Sequence, residues 1–328
     1  MIFPLSTYPI STVERTWRYG RQAGGSIPSS GVRRIYMYSK KVYFYLPGFC
    51  GHFKLCEMLA YAYTFKREMF YDNIEIGAFY DSPNCIWNGG RLLLDRDYDL
   101  IHIKDTFQGY NIPVRFTFTN GLLQEQHLDD KKCNLITEIF NTGNNEILCN
   151  SSVLESYLRE KYGNDYRYIS SITKCLRDNK KQQNAEISKN YFLTVMDFDW
   201  NNDFEFLEKI QNKEKCEILA DPCCIPNCPN RQKHYQAISE IELYGRTNID
   251  FTCSSRGSRY YELRKYKNYI SPQDIEKIYL PLGFNHFKLE GRQMNDLELI
   301  EVLVDYLIKD EYKLEVRSNL QTVNHPLS

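Results

Sequence analysis

Long apolar runs are missing from this 328-residue chain. No stretch approaches the roughly 18–20 consecutive apolar residues that a bilayer-spanning helix needs, so no membrane segment is expected. The opening, Met1-Ile2-Phe3-Pro4-Leu5-Ser6-Thr7-Tyr8-Pro9, has neither a basic n-region nor a long apolar h-region. No secretory signal is therefore expected, and a cytoplasmic location is. Net charge is also nearly absent: 41 Lys and Arg stand against 42 Asp and Glu, leaving −1 at pH 7. The surface as a whole offers no electrostatic reason to bind nucleic acid or acidic lipid. No Gly-x-Gly-x-x-Gly follows a strand pattern, which argues against a dinucleotide-binding sheet. There is no His-Glu-x-x-His, and no Ser–His–Asp or Cys–His triad can be assembled from a recognisable motif, which counts against proteolysis.

What is present in quantity is cysteine. The count of 11 is odd, so complete internal pairing is impossible. In a reducing compartment, clustered thiols point to metal or redox chemistry. Cys223-Cys224-Ile225-Pro226-Asn227-Cys228-Pro229-Asn230-Arg231 concentrates three of them, and Cys253 follows. A Cys-Pro pair closing a cysteine run is a feature of ferredoxin-type ligation. Cys224, Cys228 and Cys253 are therefore candidate ligands of an iron–sulfur cluster or of a structural Cys₄ zinc, since thiolate-only ligation suits either. Cys56, Cys133, Cys149 and Cys175 fall in apolar runs and are expected in the core.

Short β-branched or apolar runs bounded by Gly, Pro, Asn or Asp recur at 42–46, 74–80, 114–119, 146–149, 167–172, 191–196, 216–220 and 284–289. Helical spacing of apolar residues lies between or after them at 53–70, 135–140, 153–162, 204–210, 273–279 and 297–308. Eight strands alternating with helices predict a TIM-like (β/α)₈ barrel, with a doubly wound open sheet as the rival. The expected organisation is a basic N-terminal extension over 1–40, a barrel over 41–315 and a tail over 316–328. A cysteine-bearing insertion precedes the last strand. In the extension, Arg15, Arg18, Arg21, Arg33, Arg34 and Lys40 face only Glu14 around a Gly/Ser-rich stretch. Such an arm is either solvated or touches an anionic substrate or RNA.

Barrel chemistry sits at the C-terminal ends of the strands. Lys288, Glu290 and Arg292 alternate there and share one face. Arg231 and His234 lie one turn apart on the helix expected after the cysteines. Asp197 ends the sixth strand with Asp199, Arg91 follows Asn88-Gly89-Gly90, and Asn120 ends the third strand. Lys288, Glu290, His234 and Asp197 are the candidate catalytic residues. Arg292, Arg231, Arg91, Asn120 and Asn88 are candidates for binding an anionic substrate. The alternatives are a salt-bridged network closing the barrel, helix caps and a tight turn.

Gly283-Phe284-Asn285-His286-Phe287-Lys288-Leu289-Glu290-Gly291-Arg292 resembles the "GxxxFKIEGR" signature of the collagenase-like peptidase family (peptidase family U-32). Cys216–Cys224 looks like that family's strand running into its first cysteine, and weaker similarity covers 114–120, 146–162 and 168–173. The resemblance implies a TIM-like barrel holding a four-cysteine [4Fe–4S] cluster. It implies oxygen-independent hydroxylation of tRNA, rRNA or a quinone precursor, in some members using prephenate, and peptidase activity in others. The chain departs from the pattern in the short Cys224-x₃-Cys228 spacing and in having no Cys between Cys253 and Lys288. The fourth ligand is Cys50 at the end of the first strand, Cys223, or a non-protein group. The expected function is an iron–sulfur enzyme modifying an anionic small molecule or RNA with an electron donor as partner. A hydrolase with a structural metal and a non-catalytic RNA- or partner-binding barrel are the alternatives.

Overall fold

Eight short parallel strands, each hydrogen-bonded to the next in sequence, close into a barrel. The computed structural model describes residues 38–91, 97–245, 253 and 260–321. The strands are β1 (Val42–Pro47), β2 (Ile74–Asp81), β3 (Val114–Phe116), β4 (Glu146–Cys149), β5 (Arg167–Ser170), β6 (Leu193–Val195), β7 (Cys216–Leu219) and β8 (His286–Lys288). Closure is by β1 on β8, in the register Tyr43–His286, Phe44–Phe287 and Tyr45–Lys288. The (β/α)₈ architecture expected from the alternation is the one observed, and the open-sheet rival is excluded by that last pairing.

The outer helices include α1 (Phe53–Phe65), α2 (Leu100–Gly109), α3 (Lys131–Ile139), α4 (Ser152–Tyr162), α5 (Lys180–Ile187), α6 (Phe204–Lys209), α7 (Arg231–Tyr244), α8 (Asp296–Leu307) and α9 (Lys313–Gln321). Their starts are fixed by side chains that accept the orphan N–H groups of the first turn: Asp99, Asp130, Ser151, Asn179, Asp203 and Asn295. Helix α9 crosses the boundary expected at residue 315. Val316 and Leu320 on it are fully buried, so the chain is still packed there rather than a tail. Tyr38, inside the expected extension, is buried too and donates to the Tyr306 carbonyl at 3.0 Å. The arginines of the basic arm lie outside the described residues.

Period-two alternation splits the strand residues into two sets. Phe44, Phe79, Phe116, Ile147, Ile218 and Phe287 face outward into the large core beneath the helices. Tyr45, Ala78, Tyr80, Leu148, Ile169, Leu193 and Val195 face inward and pack on one another. The inward set also carries charge. Arg115 of β3 reaches Glu146 of β4 at 2.7 Å and Glu217 of β7 at 2.6 Å, with all three side chains fully buried. Its guanidinium also lies 4.0 Å over the Tyr45 ring. Half-exposed Arg167 of β5 comes to 3.4 Å from the other Glu146 oxygen. Two cations therefore meet two carboxylates in the barrel's middle. This arrangement is stable only while every partner is present, because an unpaired buried charge costs several kcal/mol.

Candidate active site

The last residue of β8 begins the site. Lys288 points into the barrel with its Nζ 3.9 Å over the ring of Tyr80, and it is 6% exposed. Tyr80, next to last on β2, is held by its hydroxyl, which donates to the Leu289 carbonyl at 2.6 Å. Three residues beyond Lys288 the chain must turn without leaving the mouth. Gly291 makes that turn at φ +152°, where a Cβ would stand 2.7 Å from Leu299 and strike it. Glu290 and Arg292 on either side are thereby both kept at the mouth.

Glu290 is engaged from two directions. Arg91 donates to both its oxygens at 3.1 and 3.0 Å, and the Cys223 N–H donates at 2.5 Å. Burial opposes the charge on Glu290, but Arg91 and the Cys223 N–H outweigh it and hold the carboxyl below its ordinary range. The Arg91 loop reaches this position because Gly89 lies against β3's continuation, where a Cβ would be 2.6 Å from the Thr119 carbonyl oxygen. Arg292 donates to Thr117 Oγ1 at 2.9 Å and comes to 3.7 Å from Asp81 Oδ1. Its guanidinium is 5.6 Å from the same Tyr80 ring. The other Asp81 oxygen accepts the N–H groups of Cys50 and Gly51.

Burial pushes Lys288 down to about 7, with Arg115 and Arg292 adding repulsion and Glu217 and Glu290 opposing. Asp221, just past β7, accepts the Glu290 N–H at 2.6 Å through one oxygen, while the other is buried without a hydrogen bond. Burial, then the charge of Glu290, raises the Asp221 carboxyl well above its ordinary value. Tyr80, Asp81, Thr117 and Asp221 were not singled out by motif. Tyr80 shares the inward face of β2 with Ala78, and Thr117 and Asp221 continue the inward alternation just past β3 and β7, a signal that could have found these three; Asp81 has the opposite parity and carries no such signal.

The remaining candidates divide. Asp197 is bound by Arg231 through both oxygens at 2.8 and 2.7 Å, with Asp199 a further 3.2 Å from the same guanidinium. Asp197 also accepts the Asp199 N–H, so it serves as the cap that was the alternative to a catalytic role. Arg231 and Asp197 thus occupy each other, both fully buried, with the guanidinium 4.2 Å over Phe198. Asn88 donates to the Pro83 carbonyl. Asn120 donates to those of Ile86 and Ser239 and accepts from Leu122. These two amides, expected at the substrate, hold the loops instead. His234, on the first turns of α7, is pushed down by burial and by Arg91.

The thiols are spread. Cys224 packs with Phe198 and Leu219 at the mouth, whereas Cys50 belongs to the outer core with Cys56 and Cys85. Cys228 is close enough to Cys224 to raise its thiol further, after burial and alongside Glu290. Among the described residues, no group of three or more His, Cys, Asp or Glu side chains is placed to hold a metal ion. The donor set that a [4Fe–4S] cluster or a Cys₄ zinc needs does not fit the thiols as they stand. No helix among the described residues is long and apolar enough to cross a membrane.

No family model matches the chain, and no curated protein matches it. Among solved structures, one described as the U32 peptidase Mk0906 is similar over 82% of this chain and 98% of its own. The identity is 13% and the TM-score 0.49.

Proposed function

We propose that this barrel is an enzyme acting on a small anionic substrate at the mouth formed by β2, β3, β7 and β8. The observation that carries the reading is the shared ring. Lys288 and Arg292 both lie over Tyr80, and within ion-pair distance the described residues offer this pair one carboxylate oxygen, that of Asp81 at 3.7 Å. Two cations against one partly engaged carboxylate leave a local excess of positive charge in a site partly shielded from water, where an anion gains most. Arg292 is the handle, because its planar fork can grip a carboxylate or phosphate through two N–H groups.

Thermal unfolding in the presence of lactate, succinate and inorganic phosphate tests this. A site occupied at 100 times its dissociation constant adds about 2.7 kcal/mol, a shift of several degrees for a domain this large or smaller. At least one of these anions is expected to stabilise the protein, and Arg292→Gln to abolish the shift. No shift with any of them, or a full shift retained by Arg292→Gln, would sink the reading.

A cluster-dependent redox version, oxygen-independent hydroxylation with an external electron donor, draws support from the proximity of Cys224 and Cys228 at the same rim. It requires Cys253, and a fourth ligand from Cys50, Cys223 or a non-protein group, to join them there. Iron retained after anaerobic reconstitution, and lost in Cys228→Ser, is its expected signature; an iron-free, colourless protein removes it.

A further inference from the structure

Among the described residues three Lys or Arg side chains are buried: Arg115, Arg231 and Lys288. The first two are held by carboxylates within 2.8 Å. Lys288 has no carboxylate within ion-pair distance among the described residues. What faces it is an aromatic ring, with charges farther off. Tyr45 is its register partner on β1 and Tyr80 lies beneath it from β2. Arg115 of β3 and Glu217 of β7 come from the barrel interior, with Glu290 and Arg292 from the chain beyond β8. His286 precedes it on the same strand face and is engaged by the Tyr45 hydroxyl at 2.9 Å. Arg115 and Arg167 already answer Glu146 and Glu217, so a charged Lys288 would be a surplus cation in this interior. A desolvated lysine beside a second cation is the setting in which an amine becomes a nucleophile near neutral pH.

We propose that Lys288 is a covalent nucleophile that condenses with the carbonyl carbon of a small 2-oxo acid whose carboxylate is held by Arg292. This rests on the anion-site reading above and names the substrate class for it. The geometry sets the class. Amine and guanidinium lie by one ring, at 3.9 and 5.6 Å from its centre, so one small ligand can present a carbonyl to the first and an anionic group to the second. A carboxylate bonded directly to a carbonyl carbon does this.

The step is redox-neutral. The neutral amine's lone pair forms the N–C bond as the carbonyl π bond breaks, and an amine proton passes to the developing alkoxide. The carbinolamine C–O bond then breaks as nitrogen donates its lone pair to form C=N, and the oxygen leaves as water with a proton taken from solvent. The product is an iminium on Lys288, which withdraws electrons from the adjacent carbon. With Lys288 held at about 7, roughly half of it carries the required lone pair at neutral pH.

The test is reductive trapping of the whole protein with pyruvate and sodium cyanoborohydride, followed by peptide mapping. A stoichiometric adduct on the peptide bearing Lys288 is expected, at a rate whose half-maximum falls near pH 7. Lactate, which has the carboxylate but no carbonyl, should give none. Lys288→Met should lose the adduct while keeping its folded melting transition. The wild-type map reads the labelled site directly, so the result stands even if the variant fails to fold. Labelling scattered over exposed lysines, or no adduct while lactate and pyruvate both raise the melting temperature, overturns the nucleophile and leaves the anion site standing. If neither ligand binds and Lys288 is not labelled, both fall.

Discussion

The middle of the barrel and its mouth are built from the same residue types and treat them oppositely. In the middle, Arg115 binds Glu146 and Glu217, all fully buried, with Arg167 closing the fourth corner. At the mouth, Lys288 has a ring in place of a carboxylate, and Arg292 meets its carboxylate at 3.7 Å rather than 2.7 Å. Buried atoms without a hydrogen bond occur in both regions, Asp221 Oδ2 at the mouth and Arg115 Nη2, Glu146 Oε1 and Glu217 Oε1 in the middle, so the contrast lies in the ion pairing of the cations. Satisfied charge fixes a structure, while charge left short of partners can be completed by something that comes and goes. The contrast separates the residues that hold this barrel together from those free to act.

Breaking the middle should give the largest effect. Arg115→Met leaves Glu146 and Glu217 buried without their shared cation, at an expected cost of about 3–5 kcal/mol. Burial already raises Glu146 above its ordinary value despite Arg115, and removing the guanidinium raises it further. Glu146 should then take up a proton more readily, so the loss should be smaller at acidic pH. Denaturant unfolding at two pH values measures this. A loss below about 1 kcal/mol would mean that the network is no more than filler. Adding Glu146→Gln and Glu217→Gln to the same chain should recover a large part of the stability.

How far the sequence carried differs between these same two regions. The eight strands were legible because each is a short run bounded by turn-formers, and all eight fall where they were expected. Helices α2 and α5 were not. Lys180–Ile187 is almost entirely polar and Leu100–Gly109 follows a stretch with no cap signal beyond Asp99. For Lys288, Glu290 and Arg292, alternation alone placed three charges on one face, and they do gather at the mouth. Partner choice was not legible. Nothing in the spacing told that Arg231 would close on Asp197 across 34 residues, or that Asn120 would reach the Ser239 carbonyl. Those contacts depend on how strands far apart in sequence are brought together, which local pattern does not encode. The cysteine run drew attention by density. Density says nothing of direction, and Cys50 faces the outer core rather than the mouth.

The next effect has the opposite sign. Lys288→Met replaces a buried, unpaired ammonium by an apolar chain of similar length, so it should stabilise. The folded value of about 7 lies below the ordinary 10.5. Between these two values the unfolded chain binds more protons than the folded one, so wild-type stability rises with pH across that window. Below about pH 7 the full burden of the charge is present. The variant should exceed wild type there by roughly 2–4 kcal/mol, less than the full shift implies because the ring contact is lost. The gap should close as pH climbs toward 10.5. Unfolding free energies of both proteins from about pH 6 to 10 measure it, and a constant gap would show that Lys288 does not titrate in that range.

The smallest change isolates the ring between the two cations. Tyr80→Phe removes the hydroxyl that donates to the Leu289 carbonyl at 2.6 Å and leaves a buried acceptor unmet, a cost of about 1–2 kcal/mol. The aromatic face stays, so Lys288 should titrate where it did and anion stabilisation should survive. Tyr80→Leu removes the face as well. Since the ring's negative face favours the ammonium, its loss should push Lys288 lower still, moving the pH midpoint of carbonyl trapping to more acidic values. A midpoint that rises in Tyr80→Leu would mean that water now reaches the amine, so that the ring's main effect at Lys288 is to exclude solvent rather than to hold a cation.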